Sequence, residues 1–452
     1  MTKIRVAVVA VLLLSLLGLP PVFGKLTESK IGEYAESLRE RQLDVTIDEY
    51  ERGWFSSRAK ITMAPSQSAV GATPFVEILG PVTLAVDIHH GPVSVKDGFF
   101  VGMSELRARP VEHGESRLDF AVDAQMTFGG TAHFVAEIMP FRHEDADGTV
   151  AFSGGRANGT IADRHLDAHG TIESLQAASP AGTLSMIGVR ASSDYEQISR
   201  GVTPGTMSVE IDRVSFETDD GPAFDATGIG FESRASVDAA RERLSGQASF
   251  TVERVRAADD STITDARYEM SLQNVEVAAV EAYYDLIWRT RADAPAAPSG
   301  EEVKPIVQRL LAGGPSFAVD TLRFSLDGQP FEASLQVDVD SSALPPGGAP
   351  SLDDPSLWRG LISGRAEVTA AKPLVERMAA AAIKAQLRAQ QDDSSMPAAS
   401  LDALADAQVG LALGMLSAQG MIEDTGSLYR TTVTFADGQL TINGQPLPFP
   451  MF

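Results

Sequence analysis

Along most of this chain, apolar residues recur at every second position. Leu43, Val45 and Ile47 alternate with Asp44, Thr46 and Asp48, and the alternation resumes at Ala59, Ile61 and Met63. A period of two puts the apolar side chains on one face of a pleated strand. The segment between, Tyr50-Glu51-Arg52-Gly53-Trp54-Phe55-Ser56-Ser57, contains a glycine, so a hairpin is expected here. Val82, Leu84, Val86 and Ile88 share a face and lead into His89-His90-Gly91-Pro92, and the cleanest alternation runs from Leu118 to Phe128. Val209 and Ile211, then Val214 and Phe216, change phase across Arg213, which predicts a bulge there. Further strands are expected at Phe250–Val252, Tyr268–Leu272, Leu322–Leu326, Leu335–Val339 and Val433–Phe435, the last closing through Asp437-Gly438 onto Leu440 and Ile442. Many strands with a single apolar face predict an antiparallel sheet, curled or doubled to hide that face.

Helical spacing is confined to a few places. Ile31, Tyr34, Ala35 and Leu38 predict a short amphipathic helix, and Val277, Val280, Tyr284 and Ile287 predict another, ending at a Pro/Ala stretch from Ala292 to Pro298. Lys304–Ala312 is a short helical piece. Lys372–Gln391 and Leu401–Gln419 read as two Ala-rich helices forming an αα-hairpin, the second with a stripe of Leu401, Leu404, Leu411 and Met415. The N-terminus differs from all of these. Lys3 and Arg5 precede 14 residues without charge, Val6 to Leu19, followed by Pro20 and Pro21. That is the form of a signal anchor, or of a signal peptide with a weak cleavage site at Val22-Phe23-Gly24. Two basic residues ahead of the apolar run direct the downstream chain outward, so the protein is expected to be single-pass in the inner membrane with its bulk in the periplasm.

Charge and composition narrow the partners. The 452 residues carry 61 acidic against 37 basic side chains, a net −24, so nucleic acid is not an expected partner. Without a single cysteine, thiol catalysis, disulfides and Cys-based metal sites are excluded.

Several motifs carry a family resemblance. These are Gly24-Lys25 after the apolar run, Tyr50-x-Arg52-Gly53-x-Phe55-Ser56-Ser57, His90-Gly91-Pro92, Phe152-Ser153-Gly154-Gly155, and Phe435 to Gly444. With them the chain resembles the YdgA-like family of Gram-negative envelope proteins over nearly its whole length. The resemblance implies a membrane-tethered or periplasmic protein and supplies no catalytic residue.

Candidate chemistry is sparse. Asp163, His165, Asp167 and His169 share a strand face, but neighbours on one strand converge poorly on a tetrahedral metal, so neither metal nor cofactor is expected. By phase His90 joins Ile88 on the apolar side, where a general base would need a nucleophile and an orienting acid that sequence does not assign. The G-x-S-x-G elbow, the P-loop and G-x-G-x-x-G are absent. The candidate binding residues are therefore those of the family motifs: Tyr50, Arg52, Gly53, Trp54, Phe55, Ser56, His90, Gly91 and Pro92.

These observations predict a β-dominated α+β fold, an extended twisted antiparallel sheet or sandwich with an N-terminal membrane helix and C-terminal helices. The expected organisation is an anchor over 1–24, a β-rich periplasmic domain over 25–291, and a β/helical region over 299–452. The expected role is non-enzymatic: scaffolding or interaction with another envelope protein or a second copy through the 372–419 helices, with a binding module holding an apolar ligand such as a lipid as the alternative. An open apolar sheet face would favour the ligand; a filled core with an apolar helix stripe outside would favour the scaffold.

Overall fold

The computed structural model describes residues 20–39, 43–65, 82–94, 100–111, 119–144, 148–199, 201–293, 299–344, 355–390, 398–447. The apolar run up to Leu19 and the terminal side chains of Phe449, Met451 and Phe452 lie outside the described residues. The protein is β-dominated and divides into two compact units, one of residues 1–198 with 291–294, the other of residues 199–290 with 295–452.

Unit 1 is an antiparallel sheet. Its strands are β1 (Leu43–Arg52), β2 (Ser56–Pro65), β3 (Val82–His90), the two-residue pair β4 (Val93–Ser94) and β5 (Phe100–Val101), and β6 (Ser104–Pro110). After them come β7 (Phe120–Met126), β8 (Ala132–Ile138), β9 (Phe141–Glu144) and β10 (Thr149–Phe152). The last three are β11 (Gly155–Ala162), β12 (His165–Ser179) and β13 (Gly182–Glu196). Neighbours run β1-β2-β3-β6-β7-β8-β11-β12-β13, while β4 pairs with β5 in a separate two-stranded ribbon. β10 and β11 lie end to end along β12, separated by a bend at Ser153-Gly154. There Gly154 takes a φ of +101°, and the Ser153 hydroxyl donates to the Ser174 carbonyl while accepting from the Ser174 N–H, at 3.0 and 2.7 Å. The Phe152-Ser153-Gly154-Gly155 motif is thus a stapled kink in a long strand.

Helix α1 (Pro20–Arg39) covers the first strands. Among the described residues it is helical from Pro20, ahead of the stretch that the apolar spacing suggests. Its buried stripe is Pro20, Gly24, Thr27 and Ile31, spaced by four, three and four residues. Ile31 enters the core with Ala59, Val82, Leu84, Val86 and Ile88, the alternating face read from the sequence.

Unit 2 begins with four long antiparallel strands: β14 (Gly205–Thr218), β15 (Gly221–Val237), β16 (Arg243–Ala257) and β17 (Thr262–Glu276). Helices α2 (Val277–Asp293) and α3 (Gly300–Ala312) lead to β18 (Ser316–Leu326) and β19 (Gln329–Val339). A short helix, α4 (Pro355–Leu361), precedes β20 (Ile362–Ala371). The αα-hairpin follows as α5 (Lys372–Gln390) and α6 (Ala398–Ala418). Then come β21 (Glu423–Asp424), β22 (Leu428–Ala436), β23 (Gln439–Ile442) and β24 (Gln445–Pro446). The sheet order is β14-β15-β16-β17-β18-β19-β20-β22-β23-β24, all antiparallel. β20 is a strand that the apolar pattern did not single out.

The bulge expected at Arg213 is elsewhere. The β14–β15 register holds through Arg213 and shifts only between Phe216 and Glu217. The phase change instead moves Val214 and Phe216 to the opposite face, where Phe216 stacks on Phe224 at 6.4 Å.

Candidate functional site

Three of the motifs read from the sequence, Gly24-Lys25, Tyr50 to Ser57 and His90-Gly91-Pro92, converge at one end of unit 1. The β1–β2 turn is tight: the Gly53 N–H donates to the Ser56 carbonyl at 2.9 Å, and a Cβ on Gly53 would stand 2.4 Å from that oxygen. Only glycine fits, so its place in the motif is a matter of turn geometry. Register then sets Ser56 opposite His89 and Ser57 opposite Ile88, which puts Ser57, Ile88 and His90 on one face. Ser57 Oγ and His90 Nε2 are hydrogen-bonded at 2.7 Å, buried, with Ser57 only 2% and His90 5% exposed.

The glycines of this end are set by close approach. His90 donates its N–H to the Phe55 carbonyl, and Gly91 donates to Met103. A Cβ on Gly91 would meet the Gly102 carbonyl oxygen at 1.8 Å. From above, Gly24 of α1 lies directly against the imidazole, with a hypothetical Cβ 3.0 Å from His90 Nε2. Arg52 reaches the same helix, pairing with Glu28 at 3.2 Å across half-exposed side chains. The histidine is the pivot on which α1, the β1–β2 turn and the end of β3 meet.

The electrostatics of this hub favour neutral groups. Burial lowers the His90 pKa below its ordinary 6.5, with His89 adding to the effect, and Nδ1 has no hydrogen-bond partner. The Tyr50 hydroxyl is buried beside Ser57 but outside hydrogen-bonding geometry. Burial raises its pKa although Ser57 and Arg52 pull the other way. Ser57 and His90 have the separation of a nucleophile and its base, yet among the described residues His90 Nδ1 has no hydrogen-bond partner, and Ser57 is closed from solvent. In this arrangement the pair is a buried hydrogen bond that ties β2 to the end of β3.

Of the residues proposed from the motifs, Tyr50 and His90 lie in the hub, whereas Arg52, Trp54, Phe55 and Ser56 are exposed around it. Ser57 and Gly24 are the hub residues that the candidate set omitted; their place in the same motifs was the available signal. The histidines of β12 stand apart from all this. His165 Nε2 is 3.4 Å from Asp194 and His169 Nε2 is 3.4 Å from Asp167. Among the described residues no cluster of three or more His, Asp or Glu side chains is arranged to hold a metal.

A second feature lies in unit 2, and pairing alone defines it. One cross-strand row reads Val209-Phe231-Phe250-Tyr268-Leu322-Ala333-Val368. The next reads Met207-Ser233-Ala248-Met270-Val319-Leu335-Ala366-Val433-Ile442, and a third continues from Leu272 through Phe317 and Val337 to Phe435 and Leu440. Directly paired residues share a face, so these rows form a continuous apolar surface. The opposite face carries Arg234, Glu232, Arg267 and Glu269, and further along Glu367 paired with Arg430. The apolar face is open: Met207, Phe250, Leu272 and Val368, from four different strands, are 46, 45, 36 and 38% exposed.

The whole chain, over residues 1–450, matches the family described as bacterial protein of unknown function (DUF945), and it belongs to that family. No curated protein matches it. No solved structure matches it either.

Proposed function

We propose that this is a non-enzymatic, membrane-tethered protein of the bacterial envelope that holds an extended apolar ligand, of the lipid acyl-chain class, along the open sheet face of unit 2. The observation that carries this reading is the set of apolar rows with half-exposed Met207, Phe250, Leu272 and Val368. Soluble domains seldom leave so wide an apolar surface uncovered unless something binds there. Across the eight strands from β14 to β22 the face is about 34 Å wide at roughly 4.8 Å per strand. Each of these four side chains is already more than half buried, so covering what remains under a ligand gains about 0.5–1.5 kcal/mol apiece. Charge has little part in it beside these rows, since the Arg267–Glu269 and Arg430–Glu367 ion pairs occupy the other face. Tethering rests on Lys3, Arg5 and the uncharged run Val6–Leu19, and the YdgA-like resemblance agrees with an envelope location.

The test is lipid extraction and mass spectrometry of the full chain purified in detergent, together with titration of a fluorescent fatty acid. Phe250→Glu and Leu272→Glu should each weaken binding at least tenfold, about 1.4 kcal/mol. Fatty-acid binding that is absent, or indifferent to both substitutions, would sink the reading.

A second reading has its own observation. In α6 the buried positions Leu401, Ala405 and Val409 alternate with an outward stripe of Leu404, Leu411 and Met415, all exposed. Leu401–Ala418 is also, among the described residues, the helix long and apolar enough to cross a membrane by length and composition, with a mean hydropathy of 1.2. Self-association through that stripe is the scaffolding alternative, and Leu411→Lys should then dissociate the oligomer in sedimentation.

A further inference from the structure

We infer that the end of unit 1 built around Gly24 and His90 is a seat on the lipid bilayer surface, formed by apolar side chains that surround the exit of the N-terminal segment. This rests on the tethering reading and is independent of what unit 2 binds. Exposed large apolar residues collect at this end from segments far apart in sequence. Trp54 and Phe55 lie at the β1–β2 turn, the tryptophan 58% exposed. Val93 and Val101, paired across β4 and β5, come directly after the end of β3 and are exposed as well. Phe128 extends from the β7–β8 turn.

The contacts show that these segments are neighbours. Phe55 accepts from the His90 N–H, Gly91 donates to Met103, and Met103 donates to Met126, two residues before Phe128. The ring closes on the helix, where Phe23 and Phe128 lie 5.3 Å apart. On α1 itself Val22 and Leu26, one turn apart, are exposed while Gly24 and Thr27 are buried against the sheet.

The sequence says what would cover this surface. The uncharged run Val6–Leu19 enters α1 at Pro20, and Gly24 is four residues further on, about 6 Å along a helix. A membrane-inserted run therefore delivers its lipid surface to the residues around Gly24. An amphipathic tryptophan beside apolar aromatics suits the headgroup boundary, where indole is favoured. With a net charge of −24, attraction to anionic headgroups is not the driving force. The apolar side chains supply it, and this separates the seat from a basic peripheral site.

The chain has no cysteine, so single labels can be placed without background. Full-length Val101→Cys and Ala181→Cys, the latter in the turn between β12 and β13 at the other end of those strands, are labelled with a polarity-sensitive dye. Each is reconstituted into phosphatidylethanolamine/phosphatidylglycerol vesicles containing brominated acyl chains. Quenching at residue 101 with none at residue 181 is the expected result. Equal or absent quenching, in a chain that resists carbonate extraction, overturns the seat while leaving the tether intact. Release by carbonate with quenching at residue 101 retained overturns the tether and leaves the seat. Energy transfer between labels at residue 101 on two chains, without quenching by lipid, overturns the seat in favour of a second copy.

Discussion

Ser57 Oγ lies 2.7 Å from His90 Nε2, and the two residues sit on adjacent strands beneath Gly24 of α1. This one contact joins three motifs that are separate in sequence, and it is where the N-terminal helix is fastened to the sheet. A larger residue at position 24 would displace the imidazole, and loss of the imidazole would leave Ser57 buried without its partner. Unsatisfied buried groups of that kind cost about 1–3 kcal/mol.

The first prediction concerns pH. The His90 pKa is lowered from 6.5 in the folded protein, chiefly by burial. The unfolded chain therefore takes up a proton at higher pH than the folded one. Its contribution to stability is complete above about 6.5 and is lost as pH falls from there towards the depressed folded value. Thermal unfolding measured at pH 7.5 and pH 5 should show a lower melting temperature at pH 5. His90→Gln should flatten that difference relative to the parent chain. An unaltered pH slope in His90→Gln would show that other groups set it.

Gly91→Ala tests the close approach at the end of β3. The new Cβ would fall 1.8 Å from the Gly102 carbonyl oxygen, which is backbone and cannot swing aside. We expect destabilisation of about 2–3 kcal/mol, within the range of severe single substitutions. Gly130→Ala serves as comparison, because its Cβ would meet nothing within 4 Å, although its φ of +83° carries strain. A denaturant midpoint equal for Gly91→Ala and the parent would contradict the geometry.

How much of this was legible in the sequence depends on what sets each feature. Period-two alternation fixed the hairpin, β3 and the face on which His90 lies, because a buried face tolerates no slip in register. The Asp437-Gly438 turn came from residues that accept positive φ, and both adopt it, as do Asp327-Gly328 and Asn443-Gly444 at two further turns. The β20 strand was missed because Gly364, Ala366, Ala370 and Ala371 give it a weak apolar signal; its neighbours β19 and β22 hold it in place. The phase change at Arg213 suggested a bulge because alternation alone cannot tell an inserted residue from a sheet whose apolar side switches. The partnership of Ser57 with His90 depends on the pairing of β2 with β3, a non-local fact that no motif spacing contains. Whether the apolar face of unit 2 was open or filled was equally out of reach, since it depends on what packs above the strands.

Ser153→Ala addresses the kink between β10 and β11. Its hydroxyl satisfies the Ser174 N–H at 2.7 Å and also donates to the Ser174 carbonyl. That carbonyl keeps the Ser153 N–H at 3.1 Å after the substitution, whereas the Ser174 N–H loses its partner. A loss of about 1–2 kcal/mol is expected from one orphaned, part-buried donor. Amide exchange of Ser174 should accelerate more than that of β12 residues paired with β11. Uniform exchange along β12 would argue that the staple is not needed to hold the bend.

The open face of unit 2 makes a prediction about stability that is opposite to the usual one for an apolar residue in a strand. Phe250 is 45% exposed on the central strand β16, whereas Ile88, in the core under α1, is 0% exposed. Ile88→Ala removes packed methylene groups and leaves a cavity, at a cost of about 2–5 kcal/mol. Phe250→Glu replaces an apolar ring with a charge and would be ruinous in a filled core, where an unpaired carboxylate has no solvation. On a face that solvent reaches, the same change should alter stability by no more than about 1 kcal/mol, slightly above the ±0.5 kcal/mol usual for surface positions, because cross-strand contacts with Phe231 and Tyr268 are weakened. Unfolding must be measured on delipidated protein, since a bound ligand would stabilise the parent and not the variant. A Phe250→Glu chain as damaged as Ile88→Ala under those conditions would mean that the face is covered in solution, and the ligand reading would fall with it. Near-parental stability together with lost fatty-acid binding would place the function of this face in what it holds, separate from how the sheet is built.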